Sequence, residues 1–360
     1  MKRLCIIPFT NAEYSLINHL TSNYEITALI SPKGIGNFGM DIGHFRNQND
    51  QGYKITNSID KISDCDTVLI SDVSMENKTL YLYAIKAIET AIACQKEILC
   101  FLRLSCEDSE KYNAECVSKG LYFREFNTNT ADEIQLDRKI HKITAPVIYI
   151  GEAIHGCRGY DVFLDVINRM RMDGKRVLGI SEDSYNELFS IKTLRFWKGT
   201  NPQDAAYRIN KIVYDLFKEN KSDIIVIKLS EPMIKYDEDN PYDFGLSAYL
   251  MSQAVPGDGC VYCAYIGTPY TDFWNTLNDN FLSKFGYPLI AVDVSNQIID
   301  KTSPVGVPMV YINQNKAYDE VVLLNKCNQL PFYVLSDSRQ FESFYQKDLN
   351  NFFDIPYGVI

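Results

Sequence analysis

Short apolar runs alternate in this chain with longer stretches whose apolar residues recur at helical spacing, and this alternation limits the fold more than any other sequence feature. In the first part of the chain these segments are, in order, 3–9, 11–22, 25–31, 66–72, 76–94 and 97–102. Strands that alternate with helices of this length favour a parallel sheet with helices on both faces. We therefore predict a Rossmann-like or flavodoxin-like α/β domain over residues 1–142.

The same alternation returns after residue 143. Its strands and helices are expected, in order, at 146–150, 160–170, 175–180, 205–216, 223–229, 309–313, 316–326, 332–335 and 338–352. A chain of 360 residues exceeds the usual size of one domain, which is about 100–200 residues. The sequence predicts a second doubly wound parallel-sheet domain over residues 143–360, with the polar segment 126–142 as the linker.

The loop after the 146–150 strand has the glycine spacing of a phosphate-binding P-loop. Gly151 and Gly156 stand five positions apart, and a helical pattern follows them. A working P-loop continues with lysine, which reaches the β and γ phosphates, and then with a hydroxyl residue that holds magnesium. Cys157 and Arg158 occupy those two positions. We therefore expect a P-loop-NTPase-like domain whose phosphate-binding loop is degenerate.

Three interpretations of this loop stay open: a scaffold, an anion or nucleotide site without turnover, and an active site. Backbone N–H groups at a helix N-terminus can bind an anion without a lysine. Loss of the lysine and the hydroxyl together argues against hydrolysis. The predicted binding residues are Gly151, His155, Gly156, Cys157, Arg158, Gly159 and Glu231, of which the last follows the 223–229 strand. A nucleotide or phosphate is the candidate ligand, and the sequence assigns no catalytic residue.

A second glycine motif, Gly34-Ile-Gly36-Asn-Phe-Gly39, has the formal pattern G-x-G-x-x-G. A dinucleotide site needs these glycines in the first strand-to-helix turn, so that the helix N-terminus faces the pyrophosphate. Here they follow the second predicted strand, and the polar residues after them do not indicate a helix. We therefore expect a glycine-rich loop and no NAD site.

The ten cysteines are scattered over predicted strands and helices, which indicates reduced thiols in the core. Cys260 and Cys263 have the CxxC spacing of redox and zinc sites, but a structural zinc site needs four ligands. They lie in an apparent strand, so we expect core packing and no metal. Cys157 has a second interpretation as a nucleophile, because a helix N-terminus lowers the pKa of a thiol.

The charge balance bears on partners. The chain has 46 acidic and 36 basic residues and a net charge of −10, which argues against nucleic acid. No run of about 18 apolar residues indicates a membrane helix, and we expect a cytoplasmic protein. The segment 236–243 contains four carboxylates, which could bind a metal or the basic part of a peptide, although such loops are usually only solvated.

Three segments resemble the peptide maturation system proteins, which accompany gene clusters for ribosomally synthesised, modified peptides. They are 180–190 (ISEDSYNELFS), 223–233 (DIIVIKLSEPM) and 243–255 (DFGLSAYLMSQAV), and the resemblance covers roughly residues 145–300. It implies an accessory protein that binds the precursor peptide or its modifying enzyme, with a homodimer as one possible assembly.

The fold also resembles the P-loop class that includes dethiobiotin synthetase, whose members keep the lysine. The alternative function is therefore an ATP-dependent, ligase-type enzyme that acts on the peptide through an altered P-loop.

Overall fold

The computed structural model describes residues 1–34, 38–126, 138–195, 201–233, 245–267, 272–300, 309–350 and 352. These residues belong to two compact units, Met1–Asp132 and Glu133–Ile360. Each unit is built on one parallel sheet with helices, so the predicted α/β class is confirmed. The predicted domain boundary at residue 142 stays a prediction.

The first unit contains a six-stranded sheet. Its strands are β1 (Lys2–Ile7), β2 (Tyr24–Ile30), β3 (Ile55–Thr56), β4 (Thr67–Ile70), β5 (Glu97–Cys100) and β6 (Phe123–Glu125). Every paired neighbour is parallel and the order is β3-β2-β1-β4-β5-β6, the order of a Rossmann fold. The helices are α1 (Tyr14–Leu20), α2 (Lys78–Ala93) and α3 (Cys106–Ser118).

Helix α2 shows why the sequence pattern works in this unit. Its buried residues recur at spacings of three and four, as one helix face requires: Ala84, Ala87, Ile88, Ala91 and Ile92. This face packs into a core with the buried residues of β1 and β4. The Asn77 side chain caps the helix by accepting the N–H of Leu80. The predicted helix at 76–94 is confirmed.

The first strand-to-helix turn of this unit is closed by side chains. Thr10 and Glu13 form a capping box, in which the Glu13 carboxylate accepts both the N–H and the hydroxyl of Thr10 at 2.7 Å. The glycine motif lies elsewhere: Gly34 and Gly39 follow β2, and residues 35–37 are outside the described residues.

The short helix that directly follows the glycine motif was not predicted. Residues Ile42–Arg46 form a 3-10 helix although their sequence is polar and broken. The Asp41 carboxylate accepts the N–H groups of Gly43, Gln51 and Gly52 at 2.7–2.9 Å. This side-chain cap holds the turn together, and apolar periodicity carries no signal for it.

The second unit contains a seven-stranded sheet. Its strands are β7 (Val147–Glu152), β8 (Val177–Ser181), β9 (Lys192–Thr193), β10 (Ile224–Pro232), β11 (Gly259–Tyr265), β12 (Leu289–Ser295) and β15 (Phe332–Tyr333). They are parallel in the order β15-β12-β11-β7-β10-β8-β9. A separate antiparallel pair is formed by β13 (Gln297–Ile299) and β14 (Met309–Tyr311).

The helices of the second unit are α4 (Gly159–Met172), α5 (Pro202–Asn220), α6 (Leu246–Ala254), α7 (Phe273–Phe285), α8 (Asn315–Cys327) and α9 (Ser338–Phe344, continued by a π-helical turn Tyr345–Leu349). The central strand β7 is buried along its whole length, as expected for a parallel strand covered on both faces. It leads through a glycine loop into α4, which makes this unit P-loop-like in its winding. The described residues contain no helix that is long and apolar enough to cross a bilayer.

The end of the predicted linker is fixed to the second unit. The buried side chain of Asn210 accepts the N–H of His141 at 2.7 Å and donates to the carbonyl groups of His141 and Ala254. The His141 ring stacks on Tyr214 with 4.7 Å between ring centres. The structure describes Phe126 at the start of the linker and residues 138–142 at its end, and the residues between them, 127–137, lie outside the described residues.

Candidate functional site

The glycine loop joins the end of β7 to the start of α4 at the carboxyl edge of the second sheet. Strand β7 ends at Glu152, and α4 begins at Gly159 after Arg158, whose φ of 66° is left-handed. Within the loop His155 and Gly156 are exposed, whereas Cys157 and Arg158 are buried. A helix therefore starts where the glycine spacing predicts one, but only part of the loop faces an open surface.

The N-terminus of α4 is occupied by a carboxylate from the chain itself. Glu152 Oε1 accepts the N–H of Gly159 at 2.6 Å. A Cβ atom on Gly159 would lie 2.6 Å from Glu152 Cγ, so the carboxylate reaches this position only because residue 159 is glycine. Unpaired N–H groups and the helix dipole favour a negative group here. In a working P-loop the nucleotide phosphate takes this place.

Glu152 belongs to a row of polar side chains that crosses the sheet under α4. Strand register pairs Cys263 of β11 with both Glu152 and Asp293, and it pairs Lys228 of β10 with Ile150, two residues before Glu152. Residues paired in register, and residues two apart on one strand, point to the same face of a sheet. All of these side chains are buried.

Lys228 is the buried cation of this row. It is 2% exposed, and its Nζ lies 3.3 Å from Oδ2 of Asp183, which follows β8. Burial by itself would lower the pKa of Lys228, but attraction to Asp183 and Glu152 outweighs it and raises that pKa above the usual 10.5. Lys228 therefore carries a positive charge beneath the loop.

Arg158 is the second buried cation. Its Nε lies 3.5 Å from Oδ2 of Asp161, in the first turn of α4. Burial opposes its charge, but the carboxylates of Asp293 and Asp161 raise the pKa of Arg158 above its usual value. Burial also raises the pKa of Asp293, although Arg158 acts in the opposite direction. The predicted site residue Arg158 is thus packed among carboxylates of the chain.

The surroundings of Cys157 argue against its interpretation as a nucleophile. Its side chain is fully buried, and its N–H donates to the carbonyl of Ile154 at 3.2 Å. Burial, reinforced by the negative charge of Glu152, raises the pKa of Cys157 well above 9.0. A nucleophilic cysteine needs a lowered pKa and access to substrate. Proximity to a helix N-terminus does not lower the pKa of Cys157 here, because burial and then the charge of Glu152 act in the opposite direction.

Glu231 lies at the carboxyl end of β10, where Pro232 pairs with Glu152 in register. Its side chain is exposed, and its Oε2 accepts the hydroxyl of Ser247 on α6 at 2.7 Å. Glu231 thus shares the sheet edge with the loop but points to a helix other than α4. The acidic segment 236–243 lies outside the described residues.

Burial also describes the environment of the other cysteines that the sequence singled out. Cys260 and Cys263 lie in β11, as predicted, and both are fully buried free thiols. All ten cysteines are free, and seven of them are buried. Within the described part of the chain, no group of three or more His, Cys, Asp or Glu side chains is placed to hold a metal ion.

Sequence reasoning missed the residues that make this edge distinctive: Glu152, Asp183, Lys228 and Asp293. A signal for two of them was present, because Lys228 and Asp293 each interrupt an otherwise apolar strand, IIVIKL and LIAVDV. A charged residue inside a buried strand is rarely there without a partner. Their partners, Asp183 after β8 and Arg158 before α4, come from segments distant in the chain and could not be read from local pattern.

Comparisons with known proteins bear on the fold. No protein-family profile matches the chain, and no curated protein matches its sequence. Among solved structures the chain is similar to a DUF1611 family protein from Anabaena variabilis, with a TM-score of 0.62 and 10% identity over 96% of this chain and 100% of that chain.

Two other matches have lower scores. The kinase domain of the Escherichia coli tyrosine kinase ETK gives a TM-score of 0.29 and 14% identity over 46% of this chain and 72% of that chain. Chloroplast FtsY from Physcomitrella patens gives a TM-score of 0.31 and 12% identity over 76% of this chain and 84% of that chain. The similarity to the DUF1611 protein spans both chains, and at this identity it shows a shared α/β fold.

Proposed function

We propose that this protein is an accessory protein in the maturation of a ribosomally synthesised, modified peptide, and that it binds the precursor peptide or its modifying enzyme without turning over nucleotide. The absence of nucleotide turnover, the second half of the proposal, rests on the hydrogen bond that the Glu152 carboxylate accepts from the N–H of Gly159. An anion of the chain stands where a nucleotide phosphate would have to lie.

The electrostatics of the loop support binding without turnover. The two buried cations at this sheet edge, Lys228 and Arg158, already face four carboxylates: Glu152, Asp161, Asp183 and Asp293. Phosphoryl transfer depends on positive charge placed around the transferred group. Cys157, at the position of the P-loop lysine, supplies none.

The resemblance to the peptide maturation system proteins supports the first half of the proposal, a role in peptide maturation. Two of the three resembling segments, 180–190 and 223–233, meet in the structure through the ion pair of Asp183 and Lys228. Asn186 of the first segment is fully buried, and its amide donates to the carbonyl of Ser181 at 3.1 Å. These segments therefore build one local arrangement at the carboxyl edge, where open α/β sheets bind their ligands.

The test is a pull-down with the tagged full-length chain against the precursor peptide and the modifying enzymes of its own gene neighbourhood. We expect retention of one of them, equal with and without ATP and magnesium, and no release of ADP. The Asp183→Asn variant, which weakens the ion pair between the two segments, should retain less. No association under any nucleotide condition would refute the proposal.

The alternative function, an ATP-dependent ligase-type enzyme acting on the peptide, has one observation in its favour. Lys228 places a buried positive charge beneath a loop with P-loop glycine spacing. Thermal unfolding with and without ATP and magnesium separates the two functions, because a ligand at a hundred times its dissociation constant adds about 2.7 kcal/mol of stability. An unchanged melting temperature at millimolar ATP would eliminate this alternative.

A further inference from the structure

A group of buried hydrogen-bond donors lies at the carboxyl edge of the second sheet, around the ion pair of Lys228 and Asp183. Ile180 of β8 pairs with Ile227 of β10. Asp183 and Ser230 each come three residues later, beyond this pair. Lys228 Nζ lies 3.3 Å from Asp183 Oδ2, so the ammonium group extends towards the same edge. Ser230 is two residues beyond Lys228 on β10, where alternate side chains share a sheet face, so its hydroxyl lies next to the ammonium group.

The donors of this group lack acceptors. Lys228 is 2% exposed, and within the described residues its three N–H donors form one hydrogen bond, to Asp183 Oδ1 at 3.5 Å. The hydroxyl groups of Ser230 and of Tyr160, in the first turn of α4, are buried and form no hydrogen bond in the same part of the chain. Burial and then the charge of Asp183 raise the pKa of Tyr160 well above 10.0, so the phenol also lies near Asp183.

Buried donors without acceptors are costly and normally point to a group that completes them. Here the charges favour a neutral group. Attraction to Asp183 and Glu152 already raises the pKa of Lys228, so its positive charge is matched by two carboxylates. An anionic ligand would add a further negative charge to a buried cluster that has no free cation to match it. A carbonyl oxygen accepts hydrogen bonds without adding a charge.

We propose that Lys228, Tyr160 and Ser230 form a subsite for a carbonyl oxygen, and that its ligand is a peptide group of the bound peptide. Identifying the ligand with a precursor peptide rests on the proposed function, but the subsite itself does not. The subsite borders the surface, because the Asp183 side chain is 25% exposed and Tyr160 and Ser230 are half-buried. It lies at the carboxyl edge, where open α/β sheets bind their ligands.

N-methylacetamide, a small molecule with a single peptide group, tests the subsite without the precursor. The measurement is NMR of protein with isotope-labelled tyrosine rings, in which the spectrum of Tyr160→Phe assigns the Tyr160 resonance. We expect this resonance to shift saturably with N-methylacetamide at up to about 100 mM, because so small a ligand binds weakly. Acetate and inorganic phosphate at equal ionic strength should leave it in place, since both are anions.

A pair of serine variants tests which donors take part. Ser230→Ala removes one donor of the subsite and should weaken binding of N-methylacetamide by about 3–10-fold, the net worth of one hydrogen bond. Ser247→Ala is the matched control, because the Ser247 hydroxyl already donates to Glu231 at the same sheet edge, at 2.7 Å. Its affinity should equal that of the wild type.

Stability in the absence of ligand gives a second, independent measurement. Tyr160→Phe removes a buried hydroxyl that has no acceptor, so the midpoint of urea denaturation should stay unchanged or rise. Tyr149→Phe is the control, because the Tyr149 hydroxyl donates to the carbonyl of Val255 at 2.6 Å, and its loss should lower the midpoint. An equal loss in both variants means that Tyr160 has an internal partner, and the proposal is then wrong.

The proposal is also overturned if N-methylacetamide gives no saturable shift, or if Ser230→Ala binds it as tightly as Ser247→Ala does. A shift with acetate or phosphate as large as that with N-methylacetamide would make the subsite an anion site and equally refute the assignment to a carbonyl oxygen. Neither the probes nor the variants require the precursor. A failure here therefore leaves the pull-down of the precursor untouched, and the reverse also holds.

Discussion

The Glu152 carboxylate accepts the N–H of Gly159, seven residues further along the chain, and so caps the N-terminus of α4. The first unit has a similar contact, because the Glu13 carboxylate accepts the N–H and the hydroxyl of Thr10 in the turn after β1. In both units the turn that would receive a phosphate in a nucleotide-binding protein is filled by an acidic side chain of the chain itself.

The contact between Glu152 and Gly159 predicts an unusual response to a single methyl group. Gly159→Ala places a Cβ 2.6 Å from Glu152 Cγ, which forces one of them to move. We expect Gly159→Ala to lower the free energy of unfolding by about 1–3 kcal/mol, as overpacking does. Urea denaturation measures this change.

The Glu152→Ala background supplies the control for that substitution. Without the Glu152 side chain the clash disappears, and alanine in the first turn of a helix then gains up to about 1 kcal/mol over glycine. The sign of the effect of Gly159→Ala should therefore reverse. Equal effects in the two backgrounds would contradict the contact.

Lys228 should be far more important for stability than a lysine on the surface. Lys228→Met keeps most of the apolar stem but leaves Glu152 and Asp183 without their cation. Removal of one partner of a buried ion pair costs about 3–5 kcal/mol. The matched control is Lys211→Met on α5, whose partner Asp215 is largely exposed and whose loss should cost less than about 1 kcal/mol. Chemical denaturation of both variants is the measurement, and similar stabilities would be inconsistent with a buried charge at Lys228.

Cysteine labelling tests the environment of the loop. Burial raises the pKa of Cys157 far above 9.0, so the thiol is both protonated and inaccessible in the native protein. With iodoacetamide near pH 8 we expect the exposed Cys106 and Cys327 to be alkylated first, and Cys157 only in denaturant. Peptide mass spectrometry reads out each site. Labelling of Cys157 at the rate of Cys327 would restore its interpretation as a nucleophile.

A clamp at the amino edge of the second sheet predicts a pH dependence. The Asp223 carboxylate accepts the backbone N–H of Arg176 at 2.8 Å and its guanidinium at 2.6 and 3.2 Å. These bonds lower the pKa of Asp223 from 3.8 to about 2. A lowered pKa in the folded state stabilises the protein above the unfolded pKa of about 3.9, and this contribution is lost as the pH falls towards 2.

The first sheet provides an internal control for this measurement, because Arg3 holds Asp66 in the same way and also lowers its pKa to about 2. In Arg176→Gln, the carboxyl resonance of Asp223 should titrate at a higher pH, between about 2 and the reference value near 3.9, while Asp66 stays near 2. NMR titration of the two carboxyl groups gives both values in one sample. A shift of both, or of neither, would count against the clamp.

Local pattern was sufficient for most of the fold. The apolar runs at 66–72 and 223–229 became β4 and β10, and the helical spacing at 76–94 became α2, because burial on a sheet or helix face imposes a period that the sequence must follow. The start of a helix directly after Gly156 and Cys157 was equally accessible, since strand, glycine turn and helix are adjacent in the chain. The CxxC pair in β11 was correctly placed for the same reason.

The chemistry of the loop was decided only by the tertiary structure. Glu152 is an unremarkable residue in the sequence, and it becomes an anion at a helix N-terminus because Gly159 leaves room for it. Lys228 acquires its charge partner Asp183 from the segment that follows β8, 45 residues earlier in the chain. Burial of Cys157 and Arg158 depends in the same way on elements distant in the chain. Charges act through space, so the sequence could locate the loop, but only the packing of several strands around it determined which anion it holds.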